Sequence, residues 1–362
     1  MNVIVLASAC RSGGALSIYR QFITHLPIYV KDNKYYIFVD PSMDQPVMKN
    51  VLYIHEVDHS WKRRVYMNRK GYLQTIKSMN VVPDVIFSLQ NSGIITDCRQ
   101  VIYYHQSLPF FRRFWNPFKV SERHLFMYQH FYPYFVKKTL NDRTDIIVQI
   151  PYIKKGFVNK FKYDPNKVHV IFPDVEYVDV NAVLNIELEP QYVHFIYPAS
   201  SAPYKEHITI VKALDELRKI EYDLVSRIRI HLTIEKNSNI ALYNLIVKKG
   251  LVRCFIFHGS LPHKTLMSYY RSVLGLLFPS TIETLGLPLL EAAAFGIPII
   301  VSDLDYAHEV LYNYSGVFFT PARNSKLWAQ NIRYLCTNRM VFPRLQHQDS
   351  QWNNIFELIY QS

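Results

Sequence analysis

Two glutamates carry the densest chemical signal in the chain. Glu283 and Glu291 lie in the segment Phe278-Pro-Ser-Thr-Ile-Glu-Thr-Leu-Gly-Leu-Pro-Leu-Leu-Glu-Ala-Ala-Ala-Phe-Gly. An ionised carboxylate can accept paired hydroxyl hydrogen bonds, which suits a hexose at one glutamate and a ribose at the other. Pro288 early in the segment and Gly296 at its end bracket a short helix, as helix termini prefer. The free N–H groups and dipole of that helix start make Thr284, Leu285, Gly286 and Leu287 an anion site, able to hold a diphosphate without a metal. Ser12-Gly13-Gly14-Ala15 is a second such turn, where Gly13 and Gly14 let the backbone approach a phosphate or sugar closely.

The Glu-x7-Glu spacing is followed by Ala-Ala-Ala-Phe-Gly-Ile-Pro-Ile-Ile-Val-Ser-Asp and then His308-Glu309-Val310. This run resembles family 4 glycosyltransferases of the GT-B fold, of the bacterial O-antigen or capsule type. The resemblance implies that Glu283 contacts the donor sugar and Glu291 the nucleotide ribose. Tyr197-Pro-Ala-Ser-Ser-Ala-Pro-Tyr-Lys-Glu-His resembles the loop that holds the donor diphosphate, with Lys205 the matching lysine. Ala199-Ser200-Ser201 stands where many relatives carry an arginine, so neutralisation leans on Lys205, the helix start and the hydroxyls of Ser200 and Ser201. His258-Gly259-Ser260-Leu261 resembles the segment beside the nucleotide base. His105-Gln106-Ser-Leu-Pro-Phe resembles the segment that places a histidine near the reacting sugar, as a hydrogen-bond donor to the sugar or the departing phosphate. The family implies retention of anomeric configuration. With no evident covalent nucleophile, a front-face displacement fits, in which Lys205 and the helix start stabilise the leaving diphosphate. Asp303-Leu-Asp305 matches a metal-binding Asp-x-Asp formally, but in this context it reads as a loop; no metal or other cofactor is expected, and the nucleotide-sugar is a co-substrate.

The elements that must position these residues alternate strand and helix. Short apolar runs at Val3–Ser8, Tyr35–Val39, Val51–Ile54, Val85–Leu89, Val101–His105, Ile146–Ile150 and Val168–Phe172 predict one open parallel sheet, with a helix at Leu16–Leu26. A second series runs from Val193–Tyr197 through Arg229–Ile234, Phe255–His258, Gly275–Phe278 and Ile297–Ser302, with helices between. The expected fold is α/β: two doubly wound, Rossmann-like domains with an active site in the cleft between them, divided by the irregular Pro173–Gln191. The expected limits are 1–175 for an acceptor-side domain, 176–340 for a nucleotide-sugar domain, and 341–362 for a closing helix. Its apolar residues Trp352, Ile355, Phe356 and Ile359 fall at helical spacing.

Charge and composition bound the partners. Residues 1–175 hold 24 Lys and Arg against 12 Asp and Glu, whereas residues 176–362 hold 17 of each, so the net charge of +12 belongs to the first half. Pro109-Phe-Phe-Arg-Arg-Phe-Trp-Asn-Pro-Phe-Lys, with Arg112, Arg113 and Trp115, mixes aromatics and cations, and Trp61-Lys-Arg-Arg repeats the theme. Such clusters suit an anionic membrane surface or a lipid diphosphate acceptor. No RNP-type motif, helix-turn-helix or zinc spacing accompanies them, which argues against nucleic acid. The four cysteines lie far apart, suggesting neither a disulfide framework nor a zinc knuckle. Met1-Asn2 leads straight into an apolar strand, without the basic flank of a signal peptide. The expectation is a cytoplasmic, peripheral enzyme at the inner face of the cytoplasmic membrane, moving a hexose from a UDP- or GDP-sugar to a lipid-linked glycan. The alternatives are a nucleotide-sugar epimerase or hydrolase, which would turn over donor alone, and a non-catalytic nucleotide-sugar-binding scaffold.

Overall fold

The computed structural model describes residues 1–111, 113–175, 180, 182–346 and 349–361. Among these, thirteen strands pair only in parallel and form two separate sheets. The first contains β1 (Asn2–Leu6), β2 (Lys34–Val39), β3 (Val51–His55), β4 (Val85–Ser88), β5 (Arg99–Tyr103), β6 (Thr144–Val148) and β7 (Val168–Val170), in the order β3-β2-β1-β4-β5-β6-β7. The second contains β8 (Val193–Tyr197), β9 (Ile228–Leu232), β10 (Phe255–Phe257), β11 (Gly275–Phe278), β12 (Ile299–Ser302) and β13 (Val317–Thr320), in the order β10-β9-β8-β11-β12-β13. Strands β4, β5, β11 and β12 are buried along their whole length, as central strands covered by helices on both faces must be. This is the α/β, doubly wound architecture expected from the sequence. In each sheet the strand order reverses once, between β1 and β4 and between β8 and β11. Ligands of such sheets bind at the carboxyl ends of the strands flanking that reversal.

The chain divides into two compact units, Met1–Asp174 with Asp349–Ser362, and Val175–Gln348. The last helix, Trp352–Tyr360, therefore belongs to the first unit. Its Phe356 stacks on Tyr29 at 4.2 Å and on Phe22 at 5.9 Å between centroids, and Trp352 stacks on His25 at 5.6 Å. Trp352, Ile355, Phe356 and Ile359 are almost fully buried, each contributing about 1.5–3 kcal/mol. Arg99 Nη2 donates to the Leu358 carbonyl at 2.7 Å and pairs with Asp145 at 3.0 Å, so a cation caps the carbonyl end of this helix.

The helix begins eleven residues after the expected limit at residue 341. Pro343 interrupts helix formation, and the preceding stretch makes other bonds: Phe342 N donates to Gly296 O at 3.1 Å and Leu345 N to Ala293 O at 2.9 Å. The chain thus closes the carboxyl end of helix Leu287–Ala294 before crossing to the first unit's core.

Candidate functional site

In the second unit, the loops leaving β8 and β11 flank the reversal of strand order and are fastened to each other. Thr281 donates to the Tyr204 carbonyl through its amide at 2.9 Å and its hydroxyl at 3.1 Å. The Tyr197 hydroxyl donates to the Lys205 carbonyl, holding the turn Pro203–Lys205 against the end of β8. This brings Lys205 Nζ onto Glu283 Oε1, an ion pair whose side chains are only 15% and 11% exposed. Tyr204 and Phe278 present ring faces to the ammonium, with centroids at 5.6 and 5.8 Å. Burial pushes the Tyr204 hydroxyl up to about 12, helped by the Glu283 charge, and the same two causes raise Tyr306 well above its ordinary range. These hydroxyls stay protonated and can only be hydrogen-bonding groups at neutral pH.

Glu283 leads into the helix start. Gly286 takes φ +75°, a left-handed conformation that turns the loop into helix Leu287–Ala294. Among the described residues, the backbone N–H groups of Thr284, Leu285, Gly286 and Leu287 donate to no protein acceptor. Four consecutive unspent donors beside a lysine form a cradle for an anion. Ser200 and Ser201 lie on the facing β8 loop, where Ala199 N donates to Thr233 Oγ1 at 3.1 Å. Glu291, one turn into the helix, points to the neighbouring helix His263–Ser272: Tyr270 donates to it at 3.1 Å, and His263 Nε2 stands at 3.3 Å. The two glutamates are therefore held by different partners, Glu283 by a cation and Glu291 by a phenol and an imidazole.

His258 ends a row of three imidazoles across β8, β9 and the end of β10. His194 Nε2 stands at 3.0 Å from the Glu189 carbonyl, His194 Nδ1 at 2.9 Å from His231 Nε2, and His231 Nδ1 at 2.8 Å from His258 Nε2. The carbonyl only accepts, so with one proton on each ring it orients the row: each Nε2–H donates toward the Glu189 end, and His258 keeps an Nδ1 lone pair. Burial and the flanking imidazoles push His231 down to about 3. Gly259, at φ +71°, is packed so closely that an added Cβ would meet Glu235 Oε1.

In the first unit, Gly13 at φ +59° opens helix Gly13–Tyr29, and neither Gly13 nor Gly14 has any atom within 4 Å of an added Cβ, so this helix start is bare. His105 lies two residues beyond β5 rather than on it. Asn91 holds it twice, accepting from the His105 amide at 2.6 Å and contacting Nε2 at 3.2 Å. Its Nδ1 is sealed from solvent and has no partner. Burial, with the charge of Arg64, pushes this imidazole down to about 4.

The aromatic and basic segment requires a correction. Trp115 is completely buried, with the Arg113 guanidinium over its ring at 4.4 Å, so it is a core residue and not a surface anchor. Its hydrophobic area outweighs the pattern of charged neighbours that marks it as exposed in the sequence. Arg112 lies outside the described residues. Asp303 accepts from His308 at 2.6 Å, and no group of three or more His, Cys, Asp or Glu suited to a metal occurs among the described residues. No helix there is long and apolar enough to cross a membrane. Sequence reasoning missed Tyr270 and His263 as partners of Glu291, and Arg64 as the charge near His105. Only the Trp61-Lys-Arg-Arg cluster marked one of them.

Comparisons with known proteins bear on the fold and on the second unit. Residues 185–352 match the model for glycosyl transferases group 1. The chain is 25% identical over 206 residues to the O-antigen chain mannosyltransferase RfbU of Salmonella typhimurium, covering 57% of this chain and 55% of that protein; the chain thus spans about half of its relative's length. Solved structures with the same fold include WaaG, a glycosyltransferase involved in lipopolysaccharide biosynthesis (TM-score 0.67, 15% identity, 93% of this chain and 91% of that one). Anabaena HepE in complex with UDP and glucose gives a TM-score of 0.64 at 16% identity, covering 92% and 89%. A glycosyltransferase from Rickettsia africae gives 0.63 at 15% identity, covering 93% and 88%. The shared fold is GT-B.

Proposed function

We propose that this chain, which carries a glycosyl transferases group 1 domain over residues 185–352, is a retaining glycosyltransferase. It moves a hexose from a UDP- or GDP-sugar to a lipid-linked oligosaccharide in O-antigen or capsule synthesis, working as a peripheral protein at the inner face of the cytoplasmic membrane. The observation that carries this reading is the buried Lys205–Glu283 pair set beside the four unspent amides of Thr284–Leu287. A diphosphate in that cradle neutralises Lys205 and releases Glu283 to accept hydroxyl bonds from the sugar. Glu291, one turn further along, takes the ribose, and His258 with Gly259 borders the base.

Chemistry then needs little beyond positioning. The acceptor hydroxyl attacks the anomeric carbon on the face from which the diphosphate departs, and the leaving phosphate oxygen takes its proton. Lys205 and the helix amides stabilise the charge that grows on the leaving group, and do so without a metal ion. His105 is held neutral by burial, but with the Asn91 amide NH2 donating to Nε2 and Nδ1 sealed, its ring has no N–H to offer the sugar or the departing phosphate in this conformation, which corrects the role expected from the sequence. The basic first half and its exposed aromatics favour an anionic, lipid-anchored acceptor.

The test is a thermal-shift panel of UDP-, GDP-, ADP- and dTDP-sugars, with and without EDTA, on the wild type and Glu291→Ala. One nucleotide class should stabilise the wild type equally in both conditions and fail to stabilise the variant. Absence of stabilisation by every nucleotide at millimolar concentration would remove the donor site from the second unit.

A further inference from the structure

Arg64 lies in helix Trp61–Tyr66 of the first unit and is half-buried. Nη2 donates to the Gln90 carbonyl at 2.8 Å and the Tyr132 hydroxyl at 3.0 Å, while Nε is sealed from solvent without a partner. Among the described residues no carboxylate forms an ion pair with it, and burial keeps the Tyr72 and Tyr132 hydroxyls near it protonated. A guanidinium does not discharge, so a half-buried cation without an ion-paired carboxylate faces the cavity and favours an anion there. Arg64 borders a cavity of about 580 Å³, within the range of small-ligand sites. Trp61, Met127, Tyr128 and Phe131 give it apolar walls, and Arg123 adds a second cation. Trp61, Met127 and Phe131 are 46%, 46% and 55% exposed, so apolar surface and positive charge stand bare together.

The cavity is joined to the reaction side of the sheet. Gln90, whose carbonyl binds Arg64, is followed by Asn91, which holds both the amide and the ring of His105. We propose that this cavity binds the acceptor through its lipid diphosphate, with Arg64 and Arg123 on the phosphates and the apolar walls on the first carbons of the lipid chain. Calling the ligand the acceptor rests on the transferase reading above; the binding site itself does not. Charge and apolar surface act jointly here: an inorganic anion would leave the walls bare, and an uncharged lipid would leave Arg64 unbalanced.

The experiment is titration of the full-length protein with geranyl diphosphate, read by calorimetry and by tryptophan fluorescence, without donor. Geranyl diphosphate should bind at least about tenfold more tightly than geraniol or inorganic diphosphate, because each lacks one of the two contributions. Arg64→Gln, which retains a donor for the Gln90 carbonyl, should weaken binding at least about tenfold, and the exposed changes Arg123→Gln and Trp61→Ala by several-fold. The wild-type thermal shift with donor nucleotide should persist in all three variants, showing that they fold. Equal binding of geranyl and inorganic diphosphate, or unchanged binding in Arg64→Gln and Trp61→Ala, would overturn the proposal. So would phosphatidylglycerol vesicles that bind through Trp61 without competing with geranyl diphosphate. Binding of geranyl diphosphate by a protein that takes up no nucleotide would instead overturn the transferase reading and leave the cavity assignment standing.

Discussion

His207 offers a clean test of how burial controls protonation in the second unit. It opens helix His207–Arg218, is 4% exposed, and packs against Tyr197 with centroids 4.7 Å apart. Its Nε2 is buried without a partner. Burial, and then the Lys205 charge, push it down to about 3. The unfolded chain binds a proton here near pH 6.5, the folded chain only near 3, so the native state is favoured above 6.5 and loses that advantage as pH falls. At pH 5 the unfolded state's extra proton costs the fold about 2 kcal/mol for this one group. His231, also pushed to about 3, adds a similar loss. Carboxylates such as Asp40, held near 2 chiefly by hydrogen bonds from Ser42, lose stability only at lower pH and do not obscure this window. His207→Phe keeps the ring against Tyr197 and removes both the titration and the unpartnered nitrogen. It should stabilise the protein by about 1 kcal/mol at pH 7.5 and about 3 kcal/mol at pH 5. Urea unfolding followed by circular dichroism at the two pH values measures both quantities. Wild type and variant losing the same stability between pH 7.5 and 5 would refute the claim that His207 stays neutral in the fold.

Other perturbations address the site and its support. Lys205→Met should lower transfer by about 100-fold or more, since the leaving diphosphate loses its cation, and should weaken nucleotide binding in the same protein; a transfer assay with calorimetry reads both. Gly286→Ala forces a side chain into φ +75° and within 3.2 Å of Leu289, costing about 1–2 kcal/mol, and should raise the nucleotide Kd through the displaced amides. Arg99→Met uncaps the Leu358 and Ile359 carbonyls and leaves Asp145 without its guanidinium. It should cost about 2–4 kcal/mol and speed hydrogen exchange and proteolysis in Trp352–Tyr360 ahead of the rest of the unit.

Much of the architecture was legible because parallel strands covered on both faces must be continuously apolar. Val3–Leu6, Val85–Phe87 and Ile299–Val301 announce themselves in one dimension. The edge strand β13 does not, because Val317, Phe318 and Phe319 are only half-buried and the run is short. Helix Ser325–Thr337 is likewise weakly marked in the sequence, its apolar stripe of Trp328, Ile332 and Leu335 spread among polar residues. The Glu-x7-Glu run and its glycine and proline were equally local, since a loop entering a helix is specified by neighbouring residues.

What the sequence by itself determined was therefore the alternation of strand and helix, the turn at Gly286, and a helix start with unspent amides flanked by two glutamates. Those follow from backbone sterics and hydrophobic periodicity, which act over a few residues. Tertiary structure decided the partners. Lys205 meets Glu283 across 78 residues because β8 and β11 are neighbours at the reversal of strand order. His194, His231 and His258 meet because β8, β9 and β10 are neighbours whose register sets each imidazole two residues further along than the last, His231 being paired with Ile196 and Ile256. Trp115 is hidden and Arg64 is half-buried without an ion-paired carboxylate for the same reason. Burial and pairing of a side chain depend on which elements pack beside it, and no local pattern records that.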